Sequence, residues 1–138
     1  MGGNENFQYD MRQAGWKLVG NEKCFSPLFP HQIEIVSFAN GGSYEAIEGK
    51  KMIHAAKKIK ACYGQHQAEF LLKYQEEMPG EWHFYSLVFP GTEWKDREGV
   101  VYVPALKFEV DWWWLDFERL DIMFQTFRNR LIRKIVKG

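Results

Sequence analysis

Two carboxylates and an ammonium stand at spacings that could hold a divalent cation and orient a water beside it. Glu34 lies in the run Ile33-Glu34-Ile35-Val36, and Glu48-Gly49-Lys50 closes a second apolar run. Between them, Asn40-Gly41-Gly42 carries a tight-turn signal, because hairpin turns of that hand need positive φ at their centre. Side chains alternate along a strand, so Glu48 and Lys50 are expected on one face of the outgoing strand. Pairing across the turn then brings Glu34 alongside them. At average composition a (D/E)-x-K triplet arises by chance roughly once in a chain of this size. This chain has two, and Glu93-Trp94-Lys95 follows Pro90-Gly91 in a loop-like stretch that reads as surface charge. The first triplet instead ends a strand, faces an acid on the paired strand and precedes a basic helix. Gln67 is a further candidate. At helical spacing it shares a face with Tyr63, Phe70, Leu71 and Tyr74, so its amide points toward the core and needs a partner. That partner is either a site or a buried backbone.

The elements that would position these groups follow from periodicity. Residues 4–14 predict a short helix stopped by Gly15, and Trp16-Lys17-Leu18-Val19 reads as a strand. Pro27 and Pro30 make the next stretch irregular. After the hairpin over 33–50, Met52, Ala56, Ile59, Tyr63, Phe70 and Tyr74 predict a helix over 51–78. Gly64 costs that helix about 1 kcal/mol and marks a candidate break. Residues 82–89 read as a strand, Asp96-Arg97-Glu98-Gly99 as a turn, and Val100-Val101-Tyr102-Val103 as the next strand. Another strand is expected over 106–114, after Pro104. Residues 117–136 read as an amphipathic helix with Leu120, Phe124, Phe127, Leu131 and Ile135 on one side. This order implies one mixed α/β domain over residues 1–138, with a central mixed sheet and hairpin core flanked by helices.

The composition sets bounds on function. The 138 residues suffice for a real core, and an aromatic content of 17% with six Trp implies dense packing, a large interface, or both. Trp112 and Trp114 fall on one strand face, where core or dimer packing is favoured over base stacking. No apolar run reaches membrane-spanning length, and Met1-Gly2-Gly3-Asn4-Glu5 carries no secretory leader pattern. Cys24 and Cys62 stand apart and are expected as reduced thiols in a cytoplasmic protein. Net charge is zero, yet Lys50, Lys51, Lys57, Lys58 and Lys60 form one acid-free basic stretch. Arg128, Arg130, Arg133, Lys134 and Lys137 form another. Such patches bind phosphates even in a neutral chain. The competing reading is a solvated helix face with bases at a helix C-terminus.

Acid, hairpin, (D/E)-x-K and helix together resemble the PD-(D/E)XK nuclease core, the restriction-endonuclease-like fold. Within it the spacing is most similar to Holliday-junction resolvases of the RecU and archaeal types, and His66-Gln67 matches a His-Gln pair in the RecU-type helix. The resemblance covers residues 31–105. It implies Mg²⁺ (or Mn²⁺) held by Glu34, Glu48 and the Gly49 carbonyl. Lys50 would orient the attacking water or stabilise charge on the phosphate, and Gln67 would face the site. Lys51, Lys57, Lys58 and Lys60 would contact DNA, the substrate would be DNA with four-way junctions foremost, and the enzyme would be a homodimer. The family's usual Asp is Glu34 here, and Leu71 stands where RecB-like members have Tyr. The alternative is a non-enzymatic phage or mobile-element factor that keeps the fold and binds DNA or a host protein.

Overall fold

The sheet is built outward from one strand. The strand β6 (Val101–Glu109) pairs along nearly its whole length with β7 (Trp112–Arg119), from Tyr102 opposite Arg119 to Glu109 opposite Trp112. The computed structural model describes residues 6–21, 26–38 and 46–136. Pro104, expected to separate two strands, lies inside β6. A strand residue sends its N–H and C=O to the same edge, and the Pro104 carbonyl accepts from the Phe89 N–H at 2.9 Å. The donor that proline lacks therefore points toward the break at Pro90-Gly91, and the ladder to β7 loses nothing.

On its other edge β6 carries two short strands end to end. β4 (Ser86–Val88) pairs at Leu106 and Ala105, and β5 (Glu93–Lys95) pairs at Tyr102 and Val101. The connecting turn is the one expected: Asp96 Oδ1 accepts from the N–H groups of Glu98 and Val100, and Gly99 takes φ 88°. The Val100 bond foremost holds the Asp96 carboxyl below the usual carboxylate range. Outside β5 lies β1 (Lys17–Gly20); outside β4 lie the parallel β9 (Asn129–Lys134) and then the antiparallel β2 (Ile33–Val36). A notch therefore separates β9 from β1 at residues 89–92.

Two helices cover opposite faces. Met52, Ile53 and Ala56 of α1 (Gly49–Lys58) pack with Val88, Val103 and Leu131. Ala68 and Leu71 of α2 (Gln65–Lys73) pack with Leu87, Phe89, Leu106, Trp113 and Ile132. The neighbours Leu87/Val88 and Leu131/Ile132 divide between the two clusters, so β4 and β9 are buried on both sides. The chain changes sides between the helices: Ala61 belongs to the α1 cluster and Tyr63 to the α2 cluster. It crosses in the notch, where the Gly91 N–H donates to the Tyr63 carbonyl at 2.8 Å.

The domain is thus mixed α/β, as expected, with a mixed sheet and flanking helices, but several elements differ. The helix over 51–78 is two helices, broken just before Gly64, because the chain leaves one face for the other there. The hairpin over 33–50 does not pair with itself: β2 joins β9, and β3 (Ala46–Glu48) joins β8 (Met123–Gln125) in a separate ribbon. Its turn, Asn40-Gly41-Gly42, lies outside the described residues. The amphipathic helix over 117–136 is the end of β7, then β8 and β9. Its three-to-four spacing is real, but Phe124 of β8 and Leu131 of β9 are buried from different strands, Leu120 is half-buried after β7, and Phe127 and Ile135 are exposed, so tertiary pairing overrides the period. The first helix is a 3₁₀ turn, Met11–Ala14, ended by Gly15 at φ 85°. Trp94, read as part of a surface loop, is fully buried in β5. Among the described residues no helix is long and apolar enough to cross a membrane.

The crossing gives a direct test. A Cβ on Gly91 would lie 2.7 Å from the Cys62 carbonyl oxygen and 2.8 Å from the Tyr63 carbonyl carbon, both backbone. Gly91→Ala is expected to destabilise by about 1–3 kcal/mol through overpacking, whereas Gly80→Ala, with nothing within 4 Å of its Cβ, leaves stability unchanged or slightly raised. Urea unfolding of both variants measures this; equal stability would mean the notch is not tightly filled.

Candidate nucleic-acid interface on helix α1

The residues expected to share a metal are placed apart. Glu34 stands on β2 opposite Arg133, and its Oε2 accepts from Arg133 Nε at 2.9 Å. Glu48 ends β3 and is the residue before α1, with Lys51 Nζ 3.8 Å from its Oε1. Lys50 does not continue that strand; it is exposed in the first turn of α1, so strand alternation no longer relates it to Glu48. Gly49 is buried where α1 meets the end of β7, and a Cβ there would collide with the Leu120 carbonyl and side chain. Its carbonyl enters the first turn of the helix. From β7 to β2 the order runs through β6, β4 and β9. Four strand spacings are on the order of 20 Å. Glu34 thus stands on the far strand of that order and Glu48 on a separate ribbon, and a shared Mg²⁺ would need oxygens of both at about 2 Å. Among the described residues no three His, Cys, Asp or Glu side chains gather as a metal group.

Gln67 is a core amide. It is 2% exposed; its Oε1 accepts from the Leu28 N–H at 2.7 Å, and its Nε2 donates to the Leu28 carbonyl at 2.8 Å. Two neighbours on the same helix act likewise. Gln65 is fully buried: its backbone N–H donates to Thr92 Oγ1, its Oε1 accepts from Trp94 Nε1, and its Nε2 donates to the Tyr9 carbonyl and Glu69 Oε2. The Glu69 carboxylate also accepts the N–H groups of Gln8 and Tyr9 at 3.0 and 2.9 Å. His66 stacks on Phe7 with ring centroids 4.3 Å apart. None of Gln65, Glu69 or Thr92 stands out in the sequence. The available signal was the i, i+4 spacing of Gln65 and Glu69 on an otherwise apolar helix face.

The basic stretch, by contrast, emerges intact on a surface. At 100° per residue, Lys51, His54 and Lys58 form the crest of α1 opposite its buried side, with Lys50 and Lys57 on the flank toward Ile53. All five are exposed, whereas Met52, Ile53 and Ala56 are buried. Lys60 follows the helix at φ 58°, also exposed. Among these cations only Lys51 has a carboxylate within ion-pair distance among the described residues, at 3.8 Å and with both groups largely solvated. The second basic cluster is largely engaged by the protein itself. Arg133 serves Glu34, and Arg130 lies 4.4 Å over the Tyr85 ring and donates to the Thr126 carbonyl. Lys137 lies outside the described residues, as does Cys24, while Cys62 is half-buried beside the notch. No family model, curated protein or solved structure matches the chain.

Gln67 discriminates core from site. Gln67→Ala strands the Leu28 N–H and C=O in a buried place and is expected to cost roughly 2–4 kcal/mol, read by chemical denaturation. Binding of nucleic acid by the folded variant, measured well below its Tm, stays at the wild-type level. A folded variant with binding abolished would return Gln67 to the site.

Proposed function

We propose that this chain is a non-catalytic nucleic-acid-binding protein that grips the phosphate backbone with the outer face of α1. One observation carries the reading: four lysines, Lys50, Lys51, Lys57 and Lys58, share the exposed side of one helix with no acid among them. Clustered like charges repel one another across such a face. A polyanion relieves that repulsion and gains the entropy of released counterions. A helix with cations along its outer side suits contacts to phosphates, which position a protein without reading sequence. Duplex DNA is the ligand this chemistry favours. Branched DNA joins it where two arms present phosphates together.

Metal-dependent cleavage, the activity implied by the (D/E)-x-K resemblance, is the second reading. Its support is the Glu48-Gly49-Lys50 triplet at the start of the basic helix; its requirement is Glu34 and Glu48 on one ion. The two readings part in one assay. Under the binding reading, supercoiled plasmid stays intact with Mg²⁺ or Mn²⁺. Cleavage that needs the metal and vanishes in Glu48→Ala and Lys50→Ala would replace binding with nuclease chemistry.

Binding itself is tested by salt. Lys50→Gln, Lys57→Gln and Lys58→Gln combined should weaken duplex binding and flatten the log–log salt dependence, by up to about 0.9 for each phosphate no longer neutralised. All three side chains are exposed, so the fold should persist. Fluorescence anisotropy across a salt series measures the slope. An unchanged slope, or no binding by the wild type at low salt, would remove the reading.

A further inference from the structure

Helix α1 covers only part of its face of the sheet. The α1 cluster takes Val103 of β6, and the side chains that follow it on that face are Ala105, Lys107 and Glu109. Opposite these in β7 stand Asp116, Trp114 and Trp112. Trp112 is 60% exposed and Trp114 54%. Beside them a hollow of about 360 Å³ opens between β6 and the chain entering β4, with Lys107, Glu109, Glu118 and Ser86 in its lining and the exposed Phe84 among its walls. The Ser86 hydroxyl is buried there without a partner among the described residues.

This bare end is acidic as well as aromatic. Lys107 is bound by Glu118 and, at 3.3 Å, by Asp116. Partial burial would depress its ammonium, but the Glu118 hydrogen bond and the charges of Glu118 and Asp116 outweigh that and raise it. Lys107 therefore stays charged and offsets one of the two. Against Glu109, Asp111, Asp116 and Glu118 stand Lys107 and Arg128, which also lines the hollow, so this end keeps a net negative charge.

We propose that two copies of this chain associate about a twofold axis, the basic outer side of α1 in each seated on the bare, acidic and aromatic end of the other's sheet. Three observations select a second copy as the occupant. The charges are complementary, Lys50, Lys57 and Lys58 against Glu109, Asp111, Asp116 and Glu118, within a chain of zero net charge. Both patches lie on one side of the sheet, so a single twofold closes both contacts at once and leaves nothing to propagate. Strand addition is blocked, because outward donors of β7 are already engaged: the Trp113 N–H by Gln75 Oε1 at 3.0 Å and the Phe117 N–H by Asp116 Oδ1 at 2.8 Å. A helix, not a strand, is what this surface accepts. One consequence rests on the phosphate-binding reading: dimer and nucleic acid use the same lysines, so each displaces the other.

Sedimentation velocity on the full chain, without nucleic acid and over a hundredfold concentration range, tests the dimer. At low salt a monomer–dimer equilibrium is expected, weakened by added salt, with tryptophan emission moving to shorter wavelength as the dimer forms. Lys57→Glu with Lys58→Glu, and separately Glu109→Lys with Asp111→Lys, should each weaken dimerisation by about tenfold or more. Mixing these two variants should restore it, since every contact in the mixed dimer pairs opposite charges. A monomer at all concentrations, a dimer indifferent to both variants, or a mixture that stays monomeric overturns the proposal. Nucleic-acid binding is read separately: a dimer that behaves as described in a protein that binds no nucleic acid leaves this inference standing and removes the function reading instead.

Discussion

The notch at Pro90-Gly91 is the constraint on which the architecture rests. Because β4 and β5 share one edge of β6 but are separated there, β9 and β1 cannot meet, and the chain between the helices passes from one face to the other in the gap. Only a residue without a side chain fits at Gly91, where Cys62, Tyr63 and Gly64 present backbone atoms within 3 Å of a Cβ position. Placing one helix on each face follows directly. So does the burial of β4 and β9 on both sides, which needs the apolar pairs Leu87-Val88 and Leu131-Ile132.

The sequence announced some of this and concealed the rest for physical reasons. Gly15, the Asp96–Gly99 turn and a strand over residues 16–19 were legible because each depends on a few adjacent residues. The pairing of β2 with β9 and of β3 with β8 was not, since no local signal announces a long-range partner. The apparent helix over 117–136 failed similarly: Phe124 and Leu131 reach the core from two different strands, while Phe127 and Ile135 of the same spacing stay exposed. Pro104 misled by its usual role as a strand breaker, because its missing donor happens to face the notch. Gln67 was recognised as a buried amide needing a partner, with a site and a core bond as the two alternatives. The structure supplies the core bond, to Leu28.

Charge on this molecule is sorted more sharply than its sum indicates. The outer side of α1 gathers four lysines, and their repulsion costs the helix little, since none stands three or four residues from another. The packing of Met52, Ile53 and Ala56 is worth far more, so the helix survives without neutralising itself. Arg133 and Arg130 of the second basic stretch are tied to Glu34, Tyr85 and the Thr126 carbonyl, while Arg128 and Lys134 are exposed. Two stretches alike in sequence thus differ in how far the fold engages them.

Helix α2 also stitches together what the notch divides. Gln65 grips Thr92 and Trp94 on the β5 side, while Ala68 and Leu71 of the same helix pack on Leu87 and Ile132 on the β4 side. A sheet forked in this way would otherwise consist of two blades backed only by β6 and β7, each able to open alone. With one helix joined to both, loosening either blade disturbs α2: the buried hydrogen bonds of Gln65 on one side, its apolar packing on the other.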